Sequence, residues 1–98
     1  MSEIRGHEKF ALITGASHRV GREIALHLAR RGFDIGLHFS KSIEDARRTK
    51  IEIESIERKV LLLQADFNNP DEIDGLFTLL LKDKVKIDIL VNNAAIMP

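Results

Sequence analysis

The stretch that decides the fold is Ile13-Thr14-Gly15-Ala16-Ser17-His18-Arg19-Val20-Gly21-Arg22-Glu23-Ile24-Ala25. It follows a short apolar run, Phe10 to Thr14 ("FALIT"), which suits a strand buried on both faces. From Val20 the period changes: Val20, Ile24 and Leu28 recur every fourth residue, and Ala25 and Ala29 widen an apolar stripe expected to face the core. Strand, tight glycine turn and helix therefore meet at one point, where free backbone N–H groups and the positive end of a helix dipole attract an anion. Gly15 is where the chain must turn sharply, and Gly21 is where a side chain would hold helix and sheet apart. Close packing alone would also explain both glycines.

Working outward, Gly32 is expected to end the first helix as a left-handed cap. Ile35 to Phe39 ("IGLHF") reads as a second strand, and Ser42-Ile43-Glu44-Asp45 as a capping-box start for a charged surface helix with Ala46, Thr49, Ile53 and Ile56 on one face. Val60 to Ala65 ("VLLLQA") reads as a third buried strand. Asn69 as cap, Pro70 at the first helical position and Glu72 in the first turn then open a helix whose apolar set is Ile73, Leu76, Phe77 and Leu80. Ile87 to Val91 ("IDILV") is a fourth strand running into Asn92-Asn93-Ala94-Ala95. The order β-α-β-α-β-α-β predicts an α/β fold with a doubly wound parallel sheet, right-handed crossovers and helices on both faces.

Composition narrows the function. Fifteen basic and fifteen acidic residues give a formal net charge of +0, so no global field draws in nucleic acid or an anionic membrane, and anion binding must be local. Cysteine is absent, which removes disulfides, thiolate catalysis and the common zinc frameworks and points to a reducing, cytoplasmic setting. The histidines at 7, 18, 27 and 38 lack metal-ligand spacing, so no metal site is expected. The polar residues 1–9 form an N-terminal arm unlike a signal peptide, and no apolar run approaches the roughly 20 residues of a membrane span.

The glycine spacing excludes a P-loop, which would need glycine at Val20 and lysine at Gly21, and it misses G-x-G-x-x-G because position 17 is serine. "TGASHRVG", then "ADF" at Ala65 to Phe67, then "LVNNAA" at Leu90 to Ala95 resemble the cofactor half of the short-chain dehydrogenases/reductases, whose signatures are T-G-x-x-x-G-x-G and N-N-A-G. The resemblance covers nearly the whole chain from Phe10 and implies the first part of one NAD(P)-binding Rossmann-type domain, with four strands and about three helices. Arg19 replaces the middle glycine, and Ala95 replaces the last glycine of N-N-A-G. The extended branch, spaced G-x-x-G-x-x-G, would want glycine at His18, so the shorter reductase branch fits better. Within it, pteridine reductases and their relatives are most similar, with T-G-x-x-x-R-x-G and a "HYHRS"-like run that here is His38-Phe39-Ser40-Lys41-Ser42.

By that resemblance Gly15, Ser17, His18, Arg19, Val20 and Gly21 cradle the cofactor pyrophosphate, Arg19 lying beside it; the alternative for Arg19 is a solvated turn residue. An NAD-preferring site usually has a carboxylate at the C-terminal end of the second strand, where this chain has Phe39-Ser40-Lys41-Ser42. Asp34 lies at the entry end of that strand, on the wrong edge. A cation, two hydroxyls and a helix N-terminus suit a 2′-phosphate, so NADP(H) is favoured over NAD(H), although Ser42 would also serve as a cap and Lys41 as a solvated cation. Asp66 resembles the family's adenine-contacting aspartate, with Phe67 adding a backbone contact and an apolar wall; a solvated loop acid is the alternative. Asn92 and Asn93 would be costly after a buried strand unless hydrogen-bonded. The resemblance makes them, with Ala94 and Ala95, a brace for the central strands and the floor near the cofactor ribose; an Asx-type turn is the alternative.

Short-chain reductases protonate the carbonyl oxygen from a tyrosine assisted by a lysine four residues on, and this chain has no tyrosine, so no catalytic residue is assigned. The expectation is that these 98 residues are the N-terminal part of a longer reductase acting on a small carbonyl or pteridine-like substrate, and are inactive alone. A non-catalytic dinucleotide-binding module and an interaction fragment are the competing readings. The family strand order leaves "IDILV" as an edge, through which self-association or partner binding is expected.

Overall fold

The computed structural model describes residues 9–15 and 19–93. Residues 1–8 of the expected arm lie outside them. The elements are β1 (Phe10–Thr14), α1 (Arg19–Arg30), β2 (Asp34–Phe39), α2 (Ile43–Glu54), β3 (Val60–Gln64), α3 (Pro70–Lys82) and β4 (Ile89–Asn92). One four-stranded sheet has the order β3-β2-β1-β4, and every neighbouring pair is parallel.

Period-two alternation in β1 explains why all five of its residues are buried. Ala11 and Ile13 join a cluster with Ala25, Leu26 and Ala29 of α1 and Ile53 of α2, whereas Phe10 and Leu12 join Leu63, Leu76 and Leu80 on the α3 side. Helices thus cover both faces, as the alternation predicted. Truncating a fully buried residue such as Leu12 would cost about 2–5 kcal/mol. Gly36 of β2 pairs with Leu12, and a Cβ there would come within 2.7 Å of the Phe10 ring, so its lack of a side chain is what admits that ring.

Helix ends follow their local chemistry. Gly32, at φ +96°, ends α1 with its N–H donating to Ala29 O (3.0 Å) and the Phe33 N–H donating to Leu28 O (3.1 Å), the paired bonds of a Schellman motif. Asn69 caps α3 by accepting the Asp71 N–H at 3.0 Å, with Pro70 in the first turn.

Four expectations need correction. Val20 does not face the core: it is 63% exposed and lines an open apolar pocket with Ile24 and Leu28 of α1 and Ile89 and Val91 of the edge strand β4. The Ser42 side chain makes no capping bond; its ψ of 73° departs from the extended cap geometry, and Ile43 N–H bonds to Lys41 O instead. The third strand is an edge strand, so of Val60–Gln64 only Leu63 is buried. The fourth strand starts at Ile89 because Asp88 closes the start of β1, its N–H donating to Phe10 O and its carboxylate accepting the Phe10 N–H. The edge position of β4 agrees with expectation, and Leu90 is 55% exposed.

Candidate functional site

The carboxyl ends of β1, β2 and β4 converge on Gly15. Gly15 is buried with φ +65°, the left-handed conformation that a side chain disfavours, so the turn needs glycine. Both of its backbone polar groups are held by neighbouring strands. Its N–H donates to His38 Nδ1 at 3.0 Å, and its carbonyl accepts from Asn93 Nδ2 at 3.2 Å. Thr14 completes the tie: its hydroxyl lies 3.2 Å from Asn92 Oδ1 and 3.3 Å from Val91 O, and it accepts the Asn93 N–H at 2.9 Å.

Asn92 and Asn93 thus tie β4 to Thr14 and the glycine turn. Thr14 and the clamping role of His38 were not legible in the sequence. Their partners lie 23 to 79 residues away, and only a strand-order argument could have brought them together.

His38 is 2% exposed. Because Nδ1 accepts from Gly15, Nε2 carries the proton and donates to Ala65 O at 2.8 Å. Its ring stacks on Phe67, with centroids 4.0 Å apart and 19° between planes. Burial pushes the imidazole below its ordinary value, partly offset by the bond to Ala65. With both ring nitrogens on the backbone, His38 supports the turn from within the protein. Phe39 is likewise buried, at 3% exposure.

The groups left facing outward are Arg19, exposed as the first residue of α1, and Ser40 and Lys41, exposed beyond β2. Ser42, half-buried, follows with a hydroxyl unused by capping. Gly21 is buried in the first turn of α1, allowing that helix close to the sheet.

Beyond β3, Asp66 sits in a fixed turn: its carboxylate accepts the Asn68 N–H at 2.9 Å, and its own N–H donates to Glu72 at 3.0 Å. Glu72, which also accepts from the Asn69 side chain at 3.1 Å, thus positions Asp66, a role beyond its expected place in the first helical turn. Asp34 lies at the opposite sheet edge, where its carboxylate accepts the Lys59 N–H at 2.9 Å. Ser17, His18, Ala94 and Ala95, expected on the same surface, lie outside the described residues.

A glycine turn after the first strand of a doubly wound sheet, with Asn92 and Asn93 closing the fourth, is the arrangement that the sequence motifs predicted. A family model, short chain dehydrogenase, matches residues 9–98. The chain belongs to the short-chain dehydrogenase family.

It is 35% identical over 88 residues to 3-oxoacyl-[acyl-carrier-protein] reductase of Staphylococcus aureus, covering 90% of this chain and 36% of that protein. It is 36% identical over 86 residues to tetrahydroxynaphthalene reductase PfmaG of Pestalotiopsis fici, covering 88% and 31%. Among solved structures, acetoin dehydrogenase from Enterobacter cloacae superposes with a TM-score of 0.82 at 34% identity, over 93% of this chain and 36% of that one. A structure described as a dehydrogenase from Burkholderia cenocepacia with bound NADP gives a TM-score of 0.78 at 27% identity, over 87% and 33%. The chain thus spans about a third of the length of these relatives. Among the described residues no helix is long and apolar enough to cross a membrane.

Proposed function

We propose that this chain is the cofactor-holding part of an NADP(H)-dependent short-chain oxidoreductase that moves hydride between NADP(H) and a carbonyl or alcohol. The dinucleotide supplies or accepts the hydride; the chain's own residues bind and orient it. The turn after Gly15 and the N-terminus of α1 receive the pyrophosphate, with Arg19 adding charge-assisted hydrogen bonds. Asp66 and Phe67 receive the adenine, and Asn93 supports the floor near the ribose. Ser17, His18, Val20 and Gly21 complete the pyrophosphate side, and Ala94 and Ala95 the nicotinamide side, as in the family motif.

The single observation that carries the NADP(H) preference is the end of β2, where Ser40 and Lys41 are exposed, the Ser42 hydroxyl is unused by capping, and none of residues 40–43 is an acid. The bound NADP of the Burkholderia cenocepacia dehydrogenase supports the same reading. Calorimetric titration of the full-length protein tests it: NADP+ should bind at least about tenfold more tightly than NAD+, the equivalent of about 1.4 kcal/mol. Equal affinities would overturn the preference, and no binding of either would overturn the dinucleotide reading.

For the substrate, the names of the 3-oxoacyl-[acyl-carrier-protein] reductase and the acetoin dehydrogenase favour a carbonyl or alcohol compound, whereas the resemblance of the Arg19 turn and the His38–Ser42 run favours a pteridine. NADPH oxidation measured with a 3-oxoacyl thioester, a vicinal diketone and a dihydropteridine decides between them. With no tyrosine among its 98 residues, the chain by itself should bind NADPH without steady turnover, which a simple absorbance assay checks.

Leu90, 55% exposed on an edge strand, supports a second reading in which the 98-residue chain associates through β4. Concentration-dependent association abolished by Leu90→Lys would support it, and a monomer at all concentrations would exclude it.

A further inference from the structure

We propose that His38 is the positioning residue of the cofactor turn, holding Gly15 only as the neutral Nε2–H tautomer, so that proton uptake by the imidazole and dinucleotide binding oppose each other. This inference rests on the dinucleotide reading above and assigns His38 a role that direct cofactor contact would not explain.

The geometry leaves the ring one working state. Gly15 N–H points at Nδ1 at 3.0 Å, and Ala65 O sits 2.8 Å from Nε2, so one nitrogen must accept while the other donates. A doubly protonated ring keeps the Ala65 bond and turns Nδ1 into a second donor facing the Gly15 N–H. Two buried donors cannot share that bond, and the turn or the ring must move. The ring has little room to do so, being 2% exposed and stacked on Phe67. The turn gives way instead, taking with it the backbone that meets the pyrophosphate.

Among the described residues, ionisable groups close in sequence to the ring and its partners include Arg19 of α1, Lys41 after β2, Asp66 after β3, and Asp71 and Glu72 of α3. The Asp66 carboxylate is engaged with the Asn68 N–H, and that of Glu72 with the Asp66 N–H and the Asn69 side chain. Neither carboxylate bonds the ring to stabilise its cation, and burial depresses its basicity, which supports a neutral ring near pH 7.

The test is NADP+ affinity of the full-length protein from pH 8 to 5.5, in the wild type, His38→Asn and His38→Leu. Asn offers an amide oxygen near the place of Nδ1 and does not titrate; Leu removes the acceptor. At pH 8, His38→Asn should bind within about threefold of wild type and His38→Leu about tenfold more weakly, since an unmet buried donor costs about 1–3 kcal/mol. On acidification the wild type should lose up to about tenfold more affinity per pH unit than His38→Asn below the imidazole midpoint. The slope remaining in His38→Asn reports the cofactor's own 2′-phosphate, with a second pKa of about 6.

Identical slopes in the wild type and His38→Asn, or wild-type affinity in His38→Leu at pH 8, would overturn the role of His38 while leaving the dinucleotide reading intact. A folded wild type that binds no NADP+ at any pH would overturn the dinucleotide reading, and with it the opposition between proton and cofactor. The clamp itself is then judged by NMR on the wild type, which also serves if a variant fails to fold. An Nε2–H tautomer and a Gly15 amide resonance that follows the ring's titration are expected; an Nδ1–H tautomer or a static amide would overturn it.

Discussion

The two ends of the sheet solve the same problem with different chemistry. At the amino end, acids close the strands: Asp88 accepts the Phe10 N–H at 2.9 Å, and Asp34 accepts the Lys59 N–H at 2.9 Å. At the carboxyl end the closing groups are the neutral His38, Asn93 and Thr14, acting on Gly15 and on the Asn93 N–H. A buried backbone group needs a partner at either end, and a carboxylate is the stronger acceptor for an N–H. Its absence around Gly15 keeps fixed negative charge away from the place where the turn and α1 present their N–H groups. Asp66 and Glu72, acids at this end, follow β3, which is two strand spacings, about 10 Å, from β1.

The largest effect should come from giving the carboxyl end the chemistry of the amino end. Asn93→Asp replaces the amide that donates to Gly15 O with a carboxylate, so the turn loses a tie and gains a charge facing the anion site. NADP+ affinity should fall about a hundredfold, since two like charges at about 4 Å repel by about 4 kcal/mol at an effective dielectric of 20 and solvent discounts part of that. Retained affinity in calorimetry would mean that the charge difference between the ends has no functional consequence.

Removing the acid at the other end separates stability from binding. Asp34→Ala leaves the Lys59 N–H without its carboxylate and Arg58 without a counter-ion at 4.0 Å. The cost should be about 1–3 kcal/mol in denaturant unfolding, with NADP+ affinity unchanged. A parallel loss of affinity would show that the two ends are coupled.

A smaller, selective effect belongs to Lys41. Exposed beyond β2, it should contribute no more than about 0.5 kcal/mol to stability. Lys41→Ala should weaken NADP+ about fivefold and leave NAD+ as it was, which competitive titration measures. Equal weakening of both would move Lys41 away from the 2′-phosphate.

Where the sequence was readable, the determinants were local. Asn69, Pro70 and Glu72 announced the start of α3, and Gly32 announced the end of α1, because caps act within a turn of the chain. The strand order followed from the family motifs, and with it the exposed edge of β4. Local rules misled where tertiary partners decided the outcome. Val20 shares the periodicity of Ile24 and Leu28 but stays exposed beside β4, the edge of the sheet. Ser42 carries a capping pattern, yet the Lys41–Ile43 bond sets a different backbone. In the site, glycine and asparagine were legible because few other roles suit them there. Thr14 and the clamp by His38 were not, because a threonine closing a strand and a histidine inside one look ordinary until Asn93 and Gly15 are beside them.

The smallest effect is the response of the neutral clamp at the carboxyl end to acid. His38 is held below its ordinary value of 6.5 by burial, so the unfolded chain takes up a proton at a higher pH than the folded one. Stability from this group is therefore present above about pH 6.5 and is lost as pH falls through that value, the loss ending only once the folded imidazole also protonates. Between pH 7 and pH 6 the loss can reach no more than about 0.7 kcal/mol, the limit set by an unfolded histidine titrating against a folded one that stays neutral. Urea unfolding of the wild type and His38→Asn at pH 7 and pH 6 isolates the effect: the stability difference should shift against the wild type at the lower pH. A shift in the opposite direction would place a proton on the folded ring, and the Gly15 N–H could not then be bonded to Nδ1.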